Sequence, residues 1–162
     1  MTEVMAAEIE KLIERLEKLT GPDREVDLAI YLALNPESEI ARIVNTHPRV
    51  AEKEHREGYS WHISGDCVIC QKREGRNLPY TGGIPLPYFT GLLDHAKTLV
   101  PPDHGWFIEN TTLTHIAQVY RLIDIDLPAK RFDGDHDIDA TALTIAALRA
   151  LSHKGDRNDF TS

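Results

Sequence analysis

The N-terminal part of the chain constrains the fold most strongly, because two helical patterns there are separated by a glycine and a proline. The first pattern places six apolar residues at helical spacing: Met5, Ile9, Leu12, Ile13, Leu16 and Leu19. Gly21 tolerates a positive φ and Pro22 restricts φ, so the first helix is predicted to end there. A second helix is predicted over residues 23–34, before the Asn35-Pro36 break. The two patterns together predict a helical hairpin.

The remainder of the chain mixes β-type and helical patterns. A short third helix is predicted over residues 37–45, and two β-hairpins are predicted from residues 59–63 with 67–71 and from residues 106–109 with 115–122. Two further helices are predicted over residues 90–100 and 138–151, with Thr90 and Asp139 as N-caps.

These elements predict the α+β class. We expect the N-terminal helical hairpin and two further helices to pack on a small antiparallel sheet of β-hairpins. Residues 73–87 are rich in glycine and proline and are expected to form a loop.

Composition limits the domain organisation and the partners. A chain of 162 residues that is 41% hydrophobic is long enough for one domain, predicted over residues 1–154, with a polar tail over residues 155–162. The formal charge of −8 disfavours binding to nucleic acid and to anionic membranes. The sequence shows neither a long apolar run nor the pattern of a signal peptide, so we expect a cytoplasmic protein.

Four metal-capable side chains lie within sixteen residues, namely His55, His62, Cys67 and Cys70. Zinc binds such ligands in closed tetrahedral sites, so a structural zinc ion is one interpretation. However, Val68 and Ile69 favour a strand, which would direct the two sulfur atoms to opposite faces. Cysteines buried in a strand are therefore the favoured interpretation, and no other cofactor is expected.

An acidic run precedes the last predicted helix. Asp133, Asp135 and Asp137 alternate as the carboxylates of a calcium loop do, but Ile138 and Thr144 stand where an EF-hand needs glycine and glutamate. We therefore expect a solvated loop whose last aspartates favour the helix N-terminus through the helix dipole.

A set of aromatic and cationic residues flanks the middle of the chain and suits a nucleotide, because aromatic rings stack on bases and arginine binds phosphate. The predicted ligand-binding residues are Tyr59, Trp61, Tyr80, Tyr88, Trp106, Arg73, Arg76 and Arg121. Ordinary strand packing of the aromatic residues is the competing interpretation. No motif for a nucleophile or a phosphate-binding loop is found, so no catalytic residue is assigned.

Three segments carry a family resemblance: residues 12–30 (LIERLEKLTGPDREVDLAI), 89–101 (FTGLLDHAKTLVP) and 139–151 (DATALTIAALRAL). They resemble a family of small accessory proteins of tailed bacteriophages and prophages, which has no settled activity. His95 and Lys97 depart from the family pattern. The resemblance implies a role against host defence, in the cytosol of the host cell.

Three functional hypotheses follow. The first is a homo-oligomeric, non-catalytic protein that sequesters a small nucleotide-derived ligand. The second is an inhibitor that binds a host protein and whose acidity imitates DNA or opposes a basic partner, and the net charge of −8 favours it. The third is a zinc-binding protein or metal-dependent hydrolase built on the histidine and cysteine residues, and it has the least support.

Overall fold

A computed structural model of the chain describes residues 3–50, 58–73, 83–111, 114–121 and 131–153. In these residues five helices and six strands follow one another, and the fold is α+β, as predicted. The helices are α1 (Glu3–Leu16), α2 (Arg24–Leu34), α3 (Glu39–Thr46), α4 (Leu93–Lys97) and α5 (Asp139–Ser152). The strands are β1 (Gly58–Ser64), β2 (Cys67–Arg73), β3 (Ile84–Pro85), β4 (His104–Asn110), β5 (His115–Arg121) and β6 (Arg131–His136).

The strands form two antiparallel three-stranded sheets, with the orders β1-β2-β3 and β4-β5-β6. Both predicted hairpins are confirmed. Gly65, at φ +54°, lies in the turn between β1 and β2, where the left-handed region favours glycine.

The chain divides into two compact units. Unit 1 contains Met1–Ile30 and Tyr88–Ser162, and unit 2 contains Tyr31–Pro87. Unit 2 is therefore inserted into the sequence of unit 1. The single domain expected over residues 1–154 stays a prediction.

Helix α5 is the core of unit 1, where it packs against β5, β6, α4 and α1. Ten of its fourteen residues are buried, so it is enclosed on nearly all sides, as an apolar helix requires. Two of the buried residues are polar, Thr141 and Thr144, and each donates a hydrogen bond to a carbonyl oxygen in the segment before α4.

The acidic run before α5 was expected to be a loop, and this expectation is wrong, because residues 131–136 form strand β6. Phe132, Gly134 and His136 are buried while the alternate residues are exposed. The aspartates at 133 and 135 thus alternate because they occupy the solvent face of a strand.

Two predicted helix caps are also corrected. Helix α4 begins at Leu93 after Leu92, whereas Thr90 is fully buried. Helix α5 has Ile138 at its N-cap, and Asp139 is its first residue. Residues 84 and 85, expected in a loop, pair with β2 as the short strand β3.

In the described part of the chain, no helix combines the length and apolarity that are needed to cross a membrane.

Candidate functional site

Residues from three separate segments, 12–30, 89–101 and 139–151, meet around a buried carboxylate in unit 1. Asp27 has no exposed surface, and its Oδ1 accepts a hydrogen bond from the Thr90 amide at 2.8 Å. The Arg24 guanidinium donates to Asp27 Oδ2 at 2.9 Å. Thr141, from the third segment, donates to the carbonyl oxygen of Thr90 at 3.0 Å. These residues therefore hold elements of unit 1 together.

Burial controls the ionisation of Asp27. Desolvation raises the pKa of this carboxyl group above its ordinary value, although the hydrogen bonds from Thr90 and Arg24 act in the opposite direction. Asp27, Thr90 and Thr141 have no exposed surface, so we assign the network a structural role.

Tyr88 and Trp106, two of the predicted ligand-binding residues, belong to unit 1 and contact different cations. The Arg24 guanidinium carbon lies 4.7 Å from the ring centroid of Tyr88, and Lys97 Nζ lies 5.1 Å from that of Trp106. Arg121 ends strand β5, where its backbone pairs with His104.

Tyr59 and Trp61, the other predicted aromatic residues that the structure describes, lie on one face of strand β1 in unit 2. Their cross-strand neighbours on that face are Lys72 and Cys70. Tyr59 is 50% exposed, whereas Trp61 is only 5% exposed. One of the two rings is thus accessible to a ligand.

Cationic and imidazole groups surround these two rings. Lys72 Nζ lies 5.9 Å from the centroid of Tyr59, and the His47 and Tyr59 ring centroids are 5.3 Å apart. The Arg49 guanidinium lies over Trp61 at 5.2 Å, and the indole Nε1 donates to the His47 carbonyl oxygen at 3.0 Å. We name this group, His47, Arg49, Tyr59, Trp61 and Lys72, the tyrosine face.

The structure does not place the other predicted ligand-binding residues of unit 2 at the tyrosine face. Arg73 ends strand β2 opposite Gly58, but its side chain lies outside the described residues. Arg76 and Tyr80 lie outside them entirely.

Sequence reasoning missed three members of the tyrosine face. The sequence does indicate Lys72, because pairing the residues outward from the Gly65-Asp66 turn places residue 72 opposite residue 59. His47 and Arg49 gave no comparable signal, because a separate bridge brings Arg49 beside Trp61.

The histidine and cysteine residues do not converge in the described part of unit 2. His62 is opposite Ile69 and Cys67 is opposite Ser64, so His62 and Cys67 share one face of the sheet. Cys70 is on the other face, opposite Trp61, and burial raises the pKa of its thiol, which disfavours the metal-binding thiolate. No group of three His, Cys, Asp or Glu side chains among the described residues could hold a metal ion. His55 lies outside these residues.

Unit 1 contains a cavity of about 340 Å³, which we name the Arg131 cavity. Its lining residues are Glu10, Arg131, Phe132, Asp133, Arg149 and His153. The Phe132 and His153 ring centroids are 5.2 Å apart. The sequence analysis did not bring these residues together as one site, because they are far apart along the chain.

Comparison of the chain with protein-family models, with curated proteins and with solved structures gave no match.

Proposed function

We propose that the protein is a non-catalytic accessory protein that sequesters a small nucleotide-derived ligand, and that the tyrosine face holds this ligand. The observation that carries the proposal is the half-exposed ring of Tyr59 with Lys72 and His47 beside it. An exposed aromatic ring on a strand offers a stacking surface for a base, and nearby cations attract phosphate.

The distribution of charge supports this location. Unit 2 contains seven basic and seven acidic residues, so the whole formal charge of −8 belongs to unit 1. An anionic ligand therefore meets less electrostatic repulsion at unit 2 than the net charge of the chain suggests.

The biological role follows from the family resemblance. A phage-encoded protein that holds a nucleotide signal in the host cytosol would lower its free concentration and so weaken a defence response. We propose a homo-oligomer for this role, because subunits that adjoin the tyrosine face could enclose the ligand.

The proposal is tested by calorimetry with a panel of linear, cyclic mono-, cyclic di- and cyclic trinucleotides. Stacking of one base contributes about 1–3 kcal/mol, so Tyr59→Ala should weaken binding by a factor of about 5 to 150. Tyr59→Phe keeps the ring and should retain most of the affinity. Phe107→Ala is the matched control, since Phe107 is a 41% exposed ring in unit 1.

Native mass spectrometry of the complex supplies the second test. We expect an oligomer that releases the nucleotide with unchanged mass after denaturation. A chemically altered nucleotide would contradict sequestration, and the lack of binding by every panel member would overturn the proposed function.

A further inference from the structure

The Arg131 cavity differs from the tyrosine face in its charges. Arg149 Nη2 donates to Glu17 Oε1 at 2.5 Å, and Arg149 Nη1 donates to the carbonyl oxygen of Asp133. The charge of Arg149 is therefore largely balanced by Glu17, and its guanidinium is held in place.

Among the described residues of the lining, three charged side chains then remain to face a ligand. Arg131, Glu10 and Asp133 are exposed and form no ion pair with one another or with another described residue. One cation and two carboxylates do not suit a phosphate group, because the carboxylates repel it. They do suit a molecule that carries a carboxylate and an ammonium group together.

The wall of the cavity supplies an apolar contact. Phe132 is 8% exposed and packs against the ring of His153. The His153 Nδ1 donates to the carbonyl oxygen of Arg149 at 3.0 Å, which holds the ring in place. This wall can pack against an aliphatic or aromatic side chain.

We propose that the Arg131 cavity binds a small zwitterion of the amino-acid type, in addition to the ligand of the tyrosine face. Arg131 pairs with the carboxylate of the zwitterion, Glu10 and Asp133 pair with its ammonium group, and its apolar side chain lies against Phe132. The volume agrees with a small molecule, since it is near the lower end of the range of ligand cavities, roughly 300–1,000 Å³.

A series of three probes tests the charge requirement on the unaltered protein. L-phenylalanine has both charged groups, 2-phenylethylamine lacks the carboxylate and 3-phenylpropanoate lacks the ammonium group. We expect L-phenylalanine to bind at least tenfold more tightly than either fragment, with NMR shifts at Phe132 and His153. Equal or tighter binding of either fragment, or no binding of L-phenylalanine and L-leucine at millimolar concentration, would overturn the proposal.

Two variants test which residue contacts which group. Arg131→Met should weaken L-phenylalanine at least tenfold and leave 2-phenylethylamine unchanged, whereas Asp133→Asn should weaken L-phenylalanine and leave 3-phenylpropanoate unchanged. Lys97→Met removes a cation of unit 1 outside the cavity and should leave the affinity for all three probes unchanged. If both variants lost affinity for all three probes to the same extent, the assignment of Arg131 to the carboxylate and of Asp133 to the ammonium group would be contradicted.

The two proposed sites can fail separately. Tyr59→Ala should leave amino-acid binding unchanged, and Arg131→Met should leave nucleotide binding unchanged, because the residues belong to different units.

Discussion

At the scale of single residues, Asp27 links separate elements of unit 1. It is a buried carboxylate whose two oxygen atoms accept hydrogen bonds from the Thr90 amide and from Arg24. Thr90 is fixed in turn by Thr141. The side chain thus joins α2 to the segment before α4 and, through Thr90, to α5.

The raised pKa of Asp27 gives a prediction about stability and pH. The pKa of Asp27 in the folded state lies above the ordinary value of 3.8, so its contribution to the free energy of unfolding is fully present below that ordinary value. The contribution is lost as the pH rises through the pKa of the folded state. Asp27→Asn removes this titration but also the pairing with Arg24. We expect the variant to be less stable, by about 1–3 kcal/mol, with the difference largest in acid.

Urea unfolding from about pH 3 to pH 7 measures this difference, and Asp135→Asn serves as the control, since Asp135 is an exposed carboxyl group on β6. A difference that grows as pH rises would show that the ion pair with Arg24 outweighs burial.

At the scale of elements, strand β6 and helix α5 approach each other closely at Gly134. A Cβ atom added to Gly134 would collide with the carbonyl oxygen of Ala142 and would lie 2.8 Å from the amide nitrogen of Ala146. Both atoms belong to the backbone of α5, so they can move only if the helix moves. Only glycine lets the strand and the helix pack at this distance.

Gly134→Ala should therefore destabilise the protein by about 1–3 kcal/mol or more, because the helix must move away from the sheet. Gly21→Ala is the control, since an added Cβ there meets no atom within 4 Å. Thermal and urea unfolding of the two variants provide the comparison. Equal stability of both variants would contradict the close packing of β6 on α5.

The elements predicted correctly are those with local signals. The apolar spacing of α1 and α5 and the Gly65-Asp66 turn of the first hairpin are contained within a few residues. Strand β6 was missed because the alternation of its aspartates was attributed to a loop, whereas the residues between them are buried in the unit that α5 fills. Thr90 was assigned as a cap because its actual partner, Asp27, is 63 residues away.

The candidate sites follow the same division between local and distant contacts. Tyr59 and Trp61 were identified from residue type, and the hairpin register accounts for Lys72. The Arg131 cavity depends on contacts such as that between Glu17 and Arg149, which are 132 residues apart. Neither periodicity nor turn chemistry reports such a contact.

At the scale of the whole molecule, the unequal charge of the two units predicts unequal responses to salt. Mutual repulsion among like charges opens unit 1 more easily at low ionic strength. Salt weakens this repulsion, as the Debye length falls from about 30 Å at 0.01 M to about 3 Å at 1 M.

Hydrogen exchange at these two ionic strengths measures the response. The opening free energy of amides in α5 should rise with salt, by about 1 kcal/mol more than that of amides in β1 and β2. Both sets of amides are measured on the same molecule, so a general effect of salt on apolar burial changes both opening free energies and does not alter their difference. An equal change in the two sets would contradict the charge argument.

The insertion of unit 2 into unit 1 has a consequence for synthesis on the ribosome. The residues of unit 2 leave the ribosome as one continuous stretch, before any residue from Tyr88 onward. Unit 1, in contrast, can complete its core only after α5 is translated, because α5 fills that core. Among the helices of the described residues, α5 is translated last. Its first helix, α1, must therefore keep an apolar face uncovered for most of translation, and chaperone binding to the nascent chain should concentrate there.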